Sequence, residues 1–168
     1  MAARTAISVQ EYLRTINHPD CDYVDGEVVQ RTLGEQSHGR LQGSILRWLW
    51  DRERLHGYRT LVEVRLQVSP TRFRIPDVML IPLSAASERI IQTPSLLCIE
   101  VLSPEDTMKR TLARVGEYLN MGVPVCWVID PEKRLAWSVN ANGPVEATAG
   151  VLHAGDIEIP LDDVFEAL

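Results

Sequence analysis

Asp77 and Glu100 are the residues of this 168-residue chain whose setting most directly suggests chemistry. Asp77 follows Pro76 in Arg-Ile-Pro-Asp-Val-Met-Leu-Ile and opens an apolar strand, while Glu100 interrupts the apolar run Leu96–Leu102. A carboxylate in such a strand must be paired, hydrogen-bonded, protonated or bound to metal, because an isolated charge is too costly in a low dielectric. Two of them meeting at one end of a sheet could hold a divalent cation, the arrangement a metal-dependent nuclease needs. Each also has an ordinary explanation. Glu100 could pair with an Arg from a neighbouring element, and Asp77 could cap a strand end.

The elements that must position these two acids can be read from period and punctuation. Ile7 to Leu13 forms a short amphipathic helix with Ser8 as its N-cap. Asp22 to Gln30 reads as two short strands about the turn Asp25-Gly26. A helix is expected from about Ser37 to Arg54, burying Leu41, Ile45, Trp48 and Leu49 along one stripe. Strands follow over Arg59–Val68 and Phe73–Ile81, then a polar connection from Pro82 to Thr93. The run Leu96–Leu102 suggests a central strand buried on both faces. Ser103-Pro104-Glu105-Asp106 then marks a capped helix start, with Met108, Leu112, Val115 and Leu119 as its apolar stripe and Gly122 as its end. Strands at Val125–Ile129 and Leu135–Val139, a further strand pair, and a short helix near Leu161–Phe165 complete the chain. Helices on both faces of a mixed sheet give an α/β (α+β) layer architecture with a β-rich C-terminal extension.

Composition bounds the function classes. With 45% apolar and 24% charged residues the chain is an ordinary globular one, and its length suits a single domain over 1–168. No apolar run approaches the roughly 20 residues needed to span a bilayer. The N-terminal segment lacks a signal-peptide core, so a cytoplasmic protein without membrane contact is expected. Cys21, Cys98 and Cys126 show no paired ligand spacing and read as free thiols in a reducing compartment. The net charge of −6 argues against a polyanionic partner, but its distribution does not. Six acids and no Lys or Arg lie beyond Asn140, whereas Arg40 to Arg74 carries eight Arg against Asp51, Glu53 and Glu63. A locally basic face can bind nucleic acid on a globally acidic protein. Trp127 and Trp137 are either core residues or partner contacts, and a C2 homodimer is the commonest assembly for such a chain.

Several ordered motifs carry a family resemblance. Arg-Ile-Pro-Asp-Val, Ile-Glu-Val-Leu-Ser-Pro-Glu-Asp and Ala-Arg-Val-Gly-Glu-Tyr-Leu-Asn-Met-Gly-Val-Pro-Val-Cys-Trp-Val-Ile-Asp-Pro resemble the Uma-type putative endonuclease family. That family belongs to the restriction-endonuclease-like superfamily named for its PD-(D/E)xK motif. The similarity extends upstream through Cys-Asp-Tyr-Val-Asp-Gly-Glu-Val-Val and Ser-His-Gly-Arg-Leu-Gln, covering about residues 10 to 140. It implies a central mixed sheet flanked by helices and hydrolysis of DNA phosphodiester bonds with Mg²⁺ or Mn²⁺. Asp77 would be the Asp of the PD motif and Glu100 the acid of the second half-motif, both metal ligands, with the Val101 carbonyl a third. Asp22 stands where the family carries an acid ahead of the Asp-Gly turn, and would be an outer ligand or a solvated turn residue. His38 matches a family His that could contact phosphate or assist proton transfer; alone it would be a capping or solvent-facing residue. Glu63 matches a recurrent acidic position and is either a site carboxylate or an arginine partner.

One departure matters. The ExK pattern puts Leu102 where Lys is expected, and the family's replacement Lys, four residues before the Tyr, corresponds here to Arg114 ahead of Tyr118. Arg keeps the charge but cannot act as a base. Lys109, in the first turn of the same helix, is a solvated residue or a substitute. The resemblance thus leaves two functions in view, a metal-dependent endonuclease and a weak or inactive nucleic-acid-binding or regulatory module with the same fold.

Overall fold

The computed structural model describes residues 6–16, 19–31, 34–166 and 168. Ser8 Oγ accepts the Glu11 N–H at 3.1 Å and starts helix α1 (Val9–Arg14). Tyr12 of this helix stacks on Tyr23 and meets Phe73, which clamps the helix to the hairpin of β1 (Asp22–Val24) and β2 (Glu27–Val29). The turn requires φ > 0 at both central residues, and Asp25 and Gly26 adopt 49° and 101°.

The expected helix over 37–54 is two helices, α2 (Gln36–Trp50) and α3 (Glu53–His56). Near the break, carbonyls of the last α2 turn accept side-chain donors. Arg52 Nη1 bonds the Trp48 oxygen at 3.0 Å and the Tyr58 hydroxyl bonds that of Leu49 at 2.8 Å. The expected core stripe survives, with Leu41, Ile45 and Leu49 fully buried and Trp48 half-buried.

Both long strands expected next are also broken. Arg59–Val68 divides into β3 (Tyr58–Val62) and β4 (Leu66–Ser69) around Glu63, whose φ of 52° takes it out of extended backbone. Phe73–Ile81 divides into β5 (Arg72–Arg74) and β6 (Val78–Pro82), with Pro76, which has no N–H for a ladder, in the gap. The pieces join different sheets. A four-stranded sheet runs β2-β1-β5-β4. A six-stranded sheet takes β3 and β6 together with β7 (Leu97–Val101), β8 (Cys126–Asp130), β9 (Leu135–Asn140) and β10 (Gly143–Glu146), in the order β10-β9-β8-β7-β6-β3. Only β7 and β8 pair in parallel within it, and a parallel pair requires a crossover. Helix α4 (Met108–Met121) supplies that crossover. Strands β11 (Val151–Ala154) and β12 (Ile157–Pro160) and helix α5 (Leu161–Phe165) close the chain over the α2 face.

Helix α4 starts later than Ser103-Pro104 suggests. Asp106 turns back to accept the Ser103 N–H at 3.2 Å, and Thr107 caps the helix by accepting the Arg110 N–H. Its fully buried line is Thr111, Val115 and Tyr118, with Met108, Leu112 and Leu119 half-buried beside it. The shift from the expected stripe turns Tyr118 toward Glu100. All three cysteines are buried and free. Among the described residues no helix is long and apolar enough to cross a membrane.

Candidate active site

Strand alternation places Glu100. In β7 the side chains of Leu97, Ile99 and Val101 join the core under α2 and α5, while Cys98 and Leu102 join the core under α4. Glu100 takes the α4 side between them. The antiparallel register pairs Val78 with Ile99, and one further step sets Asp77 opposite Glu100 at the end of β6.

Asp77 is held from several directions. One carboxylate oxygen accepts the Val101 N–H at 2.8 Å, the other accepts Arg31 Nη2 at 2.7 Å, and its backbone carbonyl accepts Gln42 Nε2 at 3.0 Å. His38, in the first turn of α2, sets Nε2 at 3.4 Å from the same carboxylate. Burial disfavours the charged imidazole, but the hydrogen bond and charge of Asp77 outweigh it and hold the His38 pKa above its ordinary value.

Glu100 is fully engaged by α4. Tyr118 donates its hydroxyl to one oxygen at 2.6 Å and Arg114 Nη2 donates to the other at 2.9 Å. Burial nevertheless pushes Glu100 up to about 7; Arg114 and Tyr118 oppose the rise, and the negative charges of Asp77 and Asp22 add to it. Arg114 in turn faces Asp106, with Nη1 at 3.5 Å from Oδ1, and its Nε is buried without a hydrogen-bond partner.

Asp22, from β1, accepts the Ile75 N–H at 3.1 Å and Arg74 Nη1 at 2.9 Å. Burial raises its pKa against the pull of Arg74. Arg74 bridges on to Glu117 of α4 at 2.7 Å. This bridge ties the hairpin sheet to α4 across the site.

Asp22, His38, Asp77, Glu100, Val101 and Arg114 all line one cavity of about 290 Å³ between the hairpin and α4. Two expected candidates do not join them. Glu63 is 53% exposed and lies 3.7 Å from Arg31, as an arginine partner would. Lys109 is exposed and does not line the cavity. Arg31, Arg74 and Tyr118, absent from the sequence-derived set, each hold a site carboxylate. Tyr118 had a signal, one turn beyond Arg114 on a helix that must pass Glu100.

Among the described residues no group of three or more His, Cys, Asp or Glu side chains is arranged as a metal site. The donor chemistry at Asp77 and Glu100 still fits a hard divalent cation, since both offer carboxylate oxygens. The charge balance fits as well: Glu100 retains a proton to about pH 7 beside two other acids, a crowding that a cation would relieve. Arg31 and Arg114 supply the counter-charge here.

The sequence pattern of the Uma2 family, described as "Putative restriction endonuclease", matches residues 9–165. A crystal structure of a putative nuclease of the DUF820 group from Anabaena variabilis superposes with a TM-score of 0.82 at 17% identity, over 96% of this chain and 98% of that one. That similarity establishes the fold. A cryo-EM structure of the DrdV–DNA complex aligns with 79% of this chain and 13% of that one, at 16% identity and a TM-score of 0.44, too low to establish a shared fold. No curated protein matches.

Proposed function

The chain belongs to the Uma2 family, and from that premise we propose that it is a metal-dependent endonuclease hydrolysing DNA phosphodiester bonds. The observation that carries this reading is the pairing of Asp77, just before β6, with Glu100 of the neighbouring β7, both buried and facing one cavity with cationic side chains around them. In this reading Asp77 and Glu100 hold Mg²⁺ or Mn²⁺, with the Val101 carbonyl and Asp22 as further ligands. When bound, such an ion lowers the pKa of its water and offsets charge on the phosphate. Arg114 meets negative charge developing on the phosphate without acting as a base. His38, held toward its charged form by Asp77, can donate a proton to a phosphate oxygen or a leaving group. Residues 1–168 act as one domain, and the free thiols suit a cytoplasmic setting.

A second reading, a binding or regulatory module with a decayed site, is favoured by one observation. Arg114 stands in the lysine position with its guanidinium directed to Glu100. Cleavage of plasmid and linear DNA with Mg²⁺ or Mn²⁺ separates the two. The parent chain is expected to cut. Asp77→Ala and Glu100→Ala are expected to lose about a thousandfold or more, since metal charge stabilisation is worth several kcal/mol. Cleavage by Arg114→Lys but not by the parent would favour the decayed site. Cleavage by neither would refute the nuclease reading.

A further inference from the structure

Four guanidinium groups line the cavity, and three are already engaged by acids. Arg31 bonds Asp77, Arg74 bonds Asp22 and Glu117, and Arg114 bonds Glu100 and faces Asp106. Arg110 is the fourth. It is exposed, and among the described residues its side chain has no ion-pair or hydrogen-bond partner; only its backbone N–H is engaged, by Thr107.

Its place on α4 makes this unusual. Arg110 lies one turn before Arg114, so both project from one side of the helix, Arg114 toward the carboxylates and Arg110 at the rim. It also sits in the first helical turn, where the helix dipole disfavours a cation, and that turn contains no acid to compensate. An exposed guanidinium held there, beside three other arginines, gains most from an incoming anion. Its planar fork matches two oxygens of a phosphodiester.

We propose that Arg110 is the phosphate anchor of the cavity, gripping a backbone phosphate of the nucleic-acid strand next to the one that meets Asp77 and Glu100. The assignment rests on the nuclease reading of the same site. It divides the labour among the arginines. Arg31 and Arg74 balance the acids, Arg114 balances Glu100 and meets the reacting phosphate, and Arg110 recruits the strand.

Fluorescence anisotropy of a labelled DNA duplex in Ca²⁺, with gels confirming that the DNA stays intact, tests this across a range of salt concentrations. Arg110→Ala is expected to bind up to about tenfold more weakly at low salt and to lower the slope of log K against log salt by about one. Arg110→Lys should recover most of the slope, because it keeps the charge. Arg54→Ala removes an exposed arginine of α3 outside the cavity and should change the slope little. Unchanged binding by Arg110→Ala, or an equal loss from Arg54→Ala, would overturn the anchor while leaving the nuclease reading intact. A parent chain that binds no DNA would overturn both.

Discussion

The two faces of the six-stranded sheet are built to different rules. Under α2 and α5 the core is mostly apolar, with Val78, Leu80, Leu97, Ile99, Trp127 and Ile129 packed against the helices and the C-terminal strands, and only uncharged Ser44 and Thr60 buried among them. Under α4 the same strands contribute Met79, Cys98, Cys126 and Val128, but at one end the packing gives way to Glu100, with Asp77 across from it. One face maximises burial. The other gives up part of it to hold carboxylates that must each be matched by a donor. Burying an ion pair seldom stabilises more than well-packed apolar side chains would, so retained buried charge points to function rather than to folding.

The largest expected effect lies on the apolar face. Trp127 is fully buried, and its indole N–H donates to the His153 carbonyl at 3.2 Å, joining β8 to β11. Trp127→Ala should cost about 3–5 kcal/mol of stability through lost burial and an unfilled cavity. Urea unfolding measures it. A loss near 1 kcal/mol would mean that this face is packed no better than the charged one, and the contrast would fail.

Glu100 gives the sharper test because its sign is opposite. Its pKa is raised from an ordinary 4.5 to about 7, so between those values the folded chain holds a proton that the unfolded chain has released. Stability is therefore highest below about 4.5 for this group and falls as pH rises through 7. At about 1.4 kcal/mol per pH unit the loss is on the order of 3 kcal/mol. Glu100→Gln removes the titration. Relative to the parent, it should gain stability between pH 5 and pH 7.5, while DNA cleavage is lost. Equal differences between the two proteins at both pH values would show that Glu100 is not destabilised by its burial.

The contrast between the faces was only partly legible in the sequence. Glu100 announced itself by breaking an apolar run, Asp77 by following a proline, and the hairpin by its Asp-Gly turn. What stayed hidden depends on pairing at a distance. Arg59–Val68 and Phe73–Ile81 look continuous because residues on either side of Glu63 and Pro76 share strand propensity, yet their partners lie in different sheets. That division lets β1 bring Asp22, and β5 bring Arg74, to a site whose main acids lie just before β6 and within β7. Arginine side chains are long, so neither Arg31 nor Arg74 reveals from its neighbours in sequence which carboxylate it will reach. The start of α4 was misplaced for a local reason: Asp106 bonds back to Ser103, and Thr107 takes the cap.

The smallest expected effect comes from a pair that resembles those of the cavity in distance only. Lys133 Nζ lies 3.1 Å from Asp130, but the lysine side chain is 73% exposed. Asp130 Oδ1 accepts the backbone N–H groups of Glu132 and Lys133, each at 3.0 Å, which leaves only Oδ2 to the ammonium. Water can replace the ammonium at little cost, so Lys133→Ala should lower stability by less than about 1 kcal/mol. Salt should shrink the difference further. Thermal unfolding at low and high salt checks both statements. A loss above about 2 kcal/mol, unaffected by salt, would mean that ion pairing stabilises this protein wherever it occurs. The charged cavity would then need no functional explanation for its buried acids, and the difference between the two faces would be one of composition alone.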